Sequence, residues 1–406
     1  MGRVSFIAWL AVAATALGDA AARVAFGGLT GTALTAAMIT GLCIVSIPAL
    51  ISANRKGLGP VAPLIALAVW WTFSMLVNTS FSIDGIQILV LIWMLPLVIL
   101  FTAAFTDDDG AKRLVKGMVF AAWVLCGLYG FVLVTAGIGG NGIVSRRSFA
   151  LEALILMAMF VPFRFESASR WAKLLPWVLF GMIALSLSRT ALVAAAVLLA
   201  VHVSIGRRGV RRARLVGLVV IATAGLLWAI FNVPALSERF FGGDQALQVG
   251  GLTISTQGRD AIWTVLFDGL GGIFGNGPGA SRDAVASVIT GQREPHNEYL
   301  RTLYDVGWIG VGLFVLALLT LIVASAKRAR AAEGLEAKAP HIGAVLAVSA
   351  FAAVAITDNP LAYTFVIAPL AVIVALSLRT GLGQAEPAPF DSSAMSRRNA
   401  SRASLS

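Results

Sequence analysis

The stretch IQILVLIWMLPLVILFTAAF (86–105) decides the fold: Gln87 and Thr102 are its only polar side chains, and it carries no charge. A helix that crosses the hydrocarbon of a bilayer needs roughly 20 apolar residues, so this segment reads as a membrane span. Working outward, comparable runs lie at about 4–23, 31–51, 61–78, 114–137, 148–163, 172–187, 189–205, 214–232, 298–325, 341–357 and 361–379. They predict an all-α, polytopic integral membrane protein with about 12 transmembrane helices. Composition agrees: of 406 residues 58% are hydrophobic and 13% charged. A soluble domain is nearer roughly 45 to 50% and about 25%. With a mean hydropathy of +0.86, a single soluble domain is excluded. Cys43 and Cys126 both fall inside apolar runs, which leaves no disulfide framework and no C-x-x-C metal or redox pair.

The net charge of +11 is mostly topological. An even number of spans puts both termini on one side. With the N-terminus inside, most of the 31 Lys and Arg fall in inner segments, as the positive-inside rule asks of cytoplasmic loops. The outward remainder is Arg23, Arg146, Arg147, Arg189, Arg239, Arg259, Arg282, Arg293 and Arg301. The basic clusters are short loops without interleaved aromatics or a recognition helix, so no nucleic-acid partner is expected. Residues 1–20 share the features of a secretory signal, but the spans that follow favour an uncleaved first helix. Residues 381–406, rich in Ser, Ala, Pro and Arg, read as a disordered tail on the inner side.

The chain thus divides into spans one to nine (1–231), an outer loop (232–297), spans ten to twelve (298–380) and the tail (381–406). The loop, about 65 residues long, is where polar residues concentrate, and loops of that length are usually functional or disordered. Part of it is expected to be helical. Ser255 or Thr256 can cap a helix beginning near Gly258, and Ala261, Ile262, Val265 and Leu266 form an apolar face suited to the outer membrane surface. The turn GNGPG (275–279) then breaks the chain sharply, and QREPHNEYLRTLYDVGWIG (292–310) runs into span ten.

Arg189, in SLSRTAL (186–192), has no hydrophilic loop to hold it. An arginine at mid-bilayer costs roughly 2.5 to 3.5 kcal/mol on insertion scales, so it either snorkels or faces a polar cavity. Arg259 opens the loop helix, where positive charge is mildly disfavoured; that placement suggests an anionic partner, against a plain solvated cation. Arg146 and Arg147 break the charge pattern, and pairing of either with Glu152 accounts for them. His202 and His341 sit at inner helix ends and read as packing residues. His296, among Arg293, Glu294, Asn297, Glu298 and Tyr299, reads either as a capping histidine or as a proton acceptor near neutral pH. No second histidine stands at ligand spacing and no G-x-S-x-G elbow occurs, so neither a metal site nor a serine triad is expected.

Taken together, SLSRTAL (186–192), GRDAIW (258–263), the GNGPG turn and PHNEYLRTLYDVGWIG (295–310) resemble the O-antigen ligase family and its polymerase relatives, over roughly Ser186 to Gly312. The amino-terminal half agrees only in hydropathy. The resemblance implies a glycosyltransferase of the bacterial inner membrane, with cytoplasmic termini and a periplasmic loop and active site. Its implied donor is a glycan on undecaprenyl diphosphate, with no cofactor and no metal. It implies that Arg189 and Arg259 engage the donor diphosphate and that His296 is the essential histidine, taking the acceptor's proton or orienting the acceptor. Arg282, Arg293, Asn297 and Tyr299 are further candidates for substrate binding, with Arg146 and Arg147 behind them; Tyr299 also suits an interfacial aromatic. Fixed guanidiniums suit a leaving diphosphate, which they can hold bidentately without a change of protonation.

The implied acceptor is lipid A core for a ligase or a second carrier-linked glycan for a polymerase; protein-directed relatives use a Ser or Thr hydroxyl. The single outer loop of moderate length leans towards the ligase. From a different class, a lipid-linked glycan transporter would also have many spans and a cationic cavity, but its polar residues should lie in mid-helix. The spans here carry few charges, chiefly Asp19, Arg23 and Glu152.

Overall fold

The computed structural model describes residues 4–23, 25–26, 29–52, 59–205, 217, 221, 225, 228, 246–249, 252–255, 259–289 and 293–379. The expected span at 214–232, save four isolated helical positions, and the tail at 381–406 lie outside the described residues, as does the alternative cap Thr256. The first part runs α1 (Phe6–Leu17), α2 (Gly31–Val45), α3 (Ile47–Ser52), α4 (Ala62–Val77), α5 (Ile83–Phe105), α6 (Asp108–Ala136), α7 (Arg146–Phe160), α8 (Arg170–Leu185) and α9 (Arg189–Ser204). Two loop helices follow, Arg259–Asp268 and Ala280–Val288. The long helix Glu298–Ala331, then Gly334–Val354 and Thr364–Leu378, complete the described chain. The described strands form two small antiparallel ladders, Ala25–Phe26 with Leu29–Thr30 and Ala246–Val249 with Leu252–Ser255. Ser255 therefore ends a strand, while the loop helix begins at Arg259, one residue from its expected start.

Every described span of the sequence reading is helical, but not every one is long enough to cross a bilayer alone. Five described helical stretches are: Gly59–Val77, Ile83–Phe105, Asp108–Ala136, Glu298–Ala331 and Gly334–Val354. At ~1.5 Å per residue the 23 residues of α5 reach about 34 Å. The others are 12 to 16 residues long, because Ser-, Gly- or Pro-containing breaks shorten the apolar runs. The expectation of about twelve full spans is thus met by five in the described residues. The chain is a multi-pass helical membrane protein.

Helices apolar on all sides belong in the interior. Thr364–Leu378 is buried at every position, and α7 from Phe149 to Phe160 likewise. Thr364–Leu378 packs against α1, α5, α7 and Gly334–Val354, while α8 and α9 flank α7. This interior core carries the site, since α7, α9 and the break before Thr364 all open at one end of it. Helix starts are capped as the sequence chemistry asks: Ser82 accepts from Gly85 N at 3.0 Å, Asp107 from Gly110 N at 2.7 Å and Ser145 from Ser148 N at 3.2 Å.

The long helix Glu298–Ala331 is broken at Gly307, which has φ 72° and ψ −170°. A Cβ there would lie 2.0 Å from the Ile273 carbonyl oxygen, so only glycine fits. The break turns helix carbonyls toward partners outside the helix. Tyr304 O accepts from Asn276 N at 2.9 Å, Asp305 O from Gly277 N at 2.8 Å, and Val306 O from the Trp70 indole at 2.9 Å. The Asp305 carboxylate accepts from Gly279 N and Ser281 N, at 3.3 and 2.8 Å, and so caps Ala280–Val288. The GNGPG turn is thus clamped onto the kink.

The helix Arg259–Asp268 does not leave its apolar face for lipid. Ile262 and Leu266 are buried in a small cluster with Val285 and Leu300, flanked by Trp263 and Tyr304. The face expected at the membrane surface is the one that docks this helix on Ala280–Val288 and the long helix.

Candidate active site

Three chain breaks meet at one end of the core. SLSRT (186–190) turns α8 into α9, with Leu187 at φ 57°. PHN (295–297) precedes the long helix, with His296 also at φ 57°. ITDNP (356–360) separates Gly334–Val354 from Thr364–Leu378. Among the described non-glycine residues only Thr79 shares a positive φ with Leu187 and His296, and such backbone strain concentrates at functional sites. The breaks are tied together. His296 N donates to Asn359 Oδ1 at 2.6 Å, Thr357 Oγ1 to Thr190 Oγ1 at 2.8 Å, and Glu298 N to Ala355 O at 2.7 Å. The Trp263 indole donates to Pro295 O at 3.0 Å, fastening the helix that bears Arg259 to the histidine loop.

Between them lies a cavity of about 310 Å³ whose lining includes Arg146, Arg147, Arg189, Arg259, Ser188 and Asp358. Four guanidiniums face one carboxylate. Arg147 Nε donates to Asp358 Oδ2 at 2.6 Å, and Arg146 Nη1 to Gly139 O at 2.6 Å. The expected pairing with Glu152 does not form: Glu152 lies fully buried in α7, and neither of its oxygens has a hydrogen-bond partner. Arg259 Nε is buried with no hydrogen-bond partner. Burial first, then repulsion from Arg147 and Arg189, lowers Arg259 to about 10 against the opposing pull of Asp358. An anion entering here would relieve that repulsion.

His296 is absent from the residues lining the cavity and stands one hydrogen bond behind it. Its Nδ1 lies 2.9 Å from Arg147 Nη2. Burial, then the charges of Arg147 and Arg259, push it down from 6.5 to about 3.

The other candidates sit elsewhere. Arg282 donates to Asp84 Oδ1 at 3.1 Å and pairs with Glu294; Arg293 pairs with Asp84 Oδ2 at 3.0 Å. Burial lowers Arg282, but Glu294 and Asp84 outweigh it and hold the guanidinium above its ordinary value. These arginines brace the loop against the start of α5. Asn297 caps the long helix, accepting from Leu300 N at 3.0 Å. The Tyr299 hydroxyl donates to Ala352 O at 3.0 Å, a helix-to-helix contact. Asp358 and Asn359 escaped the sequence reading. Their signal was an Asp-Asn pair before Pro360 in the short break between the apolar runs at 341–357 and 361–379.

Residues 174–315 match the family model described as O-antigen ligase. No curated protein matches the chain. The matched stretch contains Arg189, Arg259, His296 and the Gly307 kink, whereas Arg146 and Arg147 precede it and Asp358 follows it. Over residues 174–315, therefore, the chain is similar to the O-antigen ligase family.

Proposed function

We propose that this protein is an O-antigen ligase-like glycosyltransferase that moves a polysaccharide from undecaprenyl diphosphate to a hydroxyl of lipid A core. In this reading the cavity faces the periplasm from the bacterial inner membrane, with both termini cytoplasmic. The residues from 232 to 297 then form the periplasmic loop between spans nine and ten. The observation that carries the reading is the excess of guanidiniums over carboxylate around the cavity, with Arg259 Nε left without a partner. Such a site is suited to a group of multiple negative charge that is held while it leaves.

In the reaction the acceptor oxygen bonds to the anomeric carbon as that carbon's bond to the diphosphate oxygen breaks. The electron pair stays on the diphosphate, beside Arg189, Arg259 and Arg146. A single in-line displacement inverts the anomeric centre. A cavity at one end of the core favours this chemistry over a transport path, whose binding site would lie near the middle of the membrane.

The test is transfer from a purified undecaprenyl-diphosphate glycan to lipid A core, with wild type and Arg259→Ala at matched membrane levels. Product from wild type that is lost in the variant supports the reading. Lengthening of the carrier-linked glycan instead would make the protein a polymerase with the same site. Binding of the lipid without any new bond would make it a transporter.

A further inference from the structure

Arg147 determines what the histidine behind the cavity can do; the inference rests on the transferase reading for its substrate and on geometry for the rest. Arg147 reaches Asp358 through Nε at 2.6 Å and His296 Nδ1 through Nη2 at 2.9 Å. A guanidinium offers five N–H donors, has no acceptor and keeps its proton in proteins. The nitrogen facing it must therefore supply a lone pair. Nδ1 is unprotonated, and the neutral ring carries its hydrogen on Nε2. Protonating Nδ1 would turn an N–H toward a guanidinium N–H and set a second cation against the first.

The surroundings of the ring reinforce this. Arg147 faces it from α7 and Arg259 acts on it from the loop helix. From the ITDNP break come Asp358, whose Oδ2 is occupied by Arg147, and Asn359, which holds the His296 backbone N–H. On its own loop the nearby carboxylate, Glu294, is engaged by Arg282. No carboxylate meets the ring, and no partner meets Nε2 among the described residues.

We propose that Arg147 is a positioning residue that locks His296 as the neutral Nε2–H imidazole, so that His296 can act only as a hydrogen-bond donor through Nε2 and does not remove the acceptor's proton. A neutral histidine used as a hydrogen-bonding electrophile has precedent in enzyme chemistry. The proton of the acceptor hydroxyl then passes to the carboxylate of Asp358, the carboxylate that lines the cavity. Its Oδ1 and Oδ2 each accept one hydrogen bond, from Asn359 N and Arg147 Nε, and each retains a further lone pair. The step balances: one C–O bond forms, one breaks, the electron pair leaves on the diphosphate and the proton ends on Asp358.

The experiment uses the full chain in lipid nanodiscs with ¹⁵N-labelled histidine, without substrate. Wild-type His296 should show a bare Nδ1 and a protonated Nε2, unchanged from about pH 5.5 to 8, while free imidazole titrates near 6.5. In Arg147→Met the ring should begin to titrate within that window, and in Arg147→Lys to a smaller extent. A wild-type His296 that takes up a proton between these limits overturns the proposal, whether or not the variants fold.

Transfer assays supply the second readout. His296→Gln, which keeps a donor near the Nε2 position but cannot act as a base, should retain about a tenth of the wild-type rate. His296→Ala should fall by about 100-fold or more, within the range for loss of one oriented donor. Glutamine no better than alanine overturns the donor role. Should wild type transfer to no acceptor, the transferase reading falls, and the ring state, measured without substrate, still decides the claim about Arg147.

Discussion

The cationic cavity and the glycine clamp lie on either side of the same loop and handle polar groups in opposite ways. At the clamp, the carbonyls displaced by the Gly307 break each find a donor in Asn276, Gly277 or Trp70, and Asp305 caps a helix. At the cavity, Arg259 keeps a buried, unpartnered Nε beside two other cations. Burying unpaired charge costs stability, and a fold retains it where a ligand completes the set. The contrast separates residues that hold the loop in place from residues that, in the proposed reading, wait for substrate, although both groups are polar.

Substitutions can break this contrast. The largest effect is expected at Gly307→Val, where a side chain would meet the Ile273 carbonyl and φ is 72°. Destabilisation by roughly 3 kcal/mol or more, from steric conflict and positive φ together, should appear as lost accumulation in membranes and a lowered Tm. Arg259→Ala should do the reverse. Transfer falls by about 100-fold, the scale of a lost charge-stabilising donor, while Tm holds or rises because repulsion from Arg147 and Arg189 is removed.

Asp358→Asn should come next, lowering kcat by about 10-fold or more, toward the lower end of the range for a lost proton acceptor, with a smaller change in KM. Trp263→Phe removes the bond to Pro295 O and should cost about 1 kcal/mol, visible in Tm. A separate prediction concerns pH. Folded His296 sits at about 3 against 6.5 for the free group, so as pH falls below 6.5 the unfolded chain takes up the proton first. Stability present above pH 6.5 is therefore lost progressively toward pH 3. The acid loss in Tm should be smaller in His296→Ala.

Much of this architecture is legible in the sequence because hydropathy has one cause, the exclusion of polar groups from hydrocarbon, and IQILVLIWMLPLVILFTAAF has no soluble reading. The candidate site residues on SLSRTAL, GRDAIW and PHN were legible as cations and a histidine out of place. Their partners were not. The Arg147–Asp358 pair spans 211 positions, and nothing local in either segment names the other; Glu152, nearer in sequence, was the natural but wrong partner. The kink was hidden for a related reason, since VGWIG (306–310) keeps its hydropathy while Gly307 leaves the helix. The Asp305 carboxylate marks that break only once the glycine turn is folded against it. Arg282 and Arg293 resembled ligand-binding cations because their acids, Asp84 and Glu294, lie on different segments.

The central claim is that the arginines of the cavity hold the donor's diphosphate, and binding of undecaprenyl diphosphate to the purified protein tests it without any acceptor. Wild type should bind with an affinity that weakens as salt rises. Arg259→Ala and Arg189→Ala should each weaken Kd by about tenfold or more, the loss of one charge-assisted contact, while Arg282→Ala, at the brace, should change it little in whatever folded protein remains. Equal affinity in wild type and the two cavity variants would contradict the account.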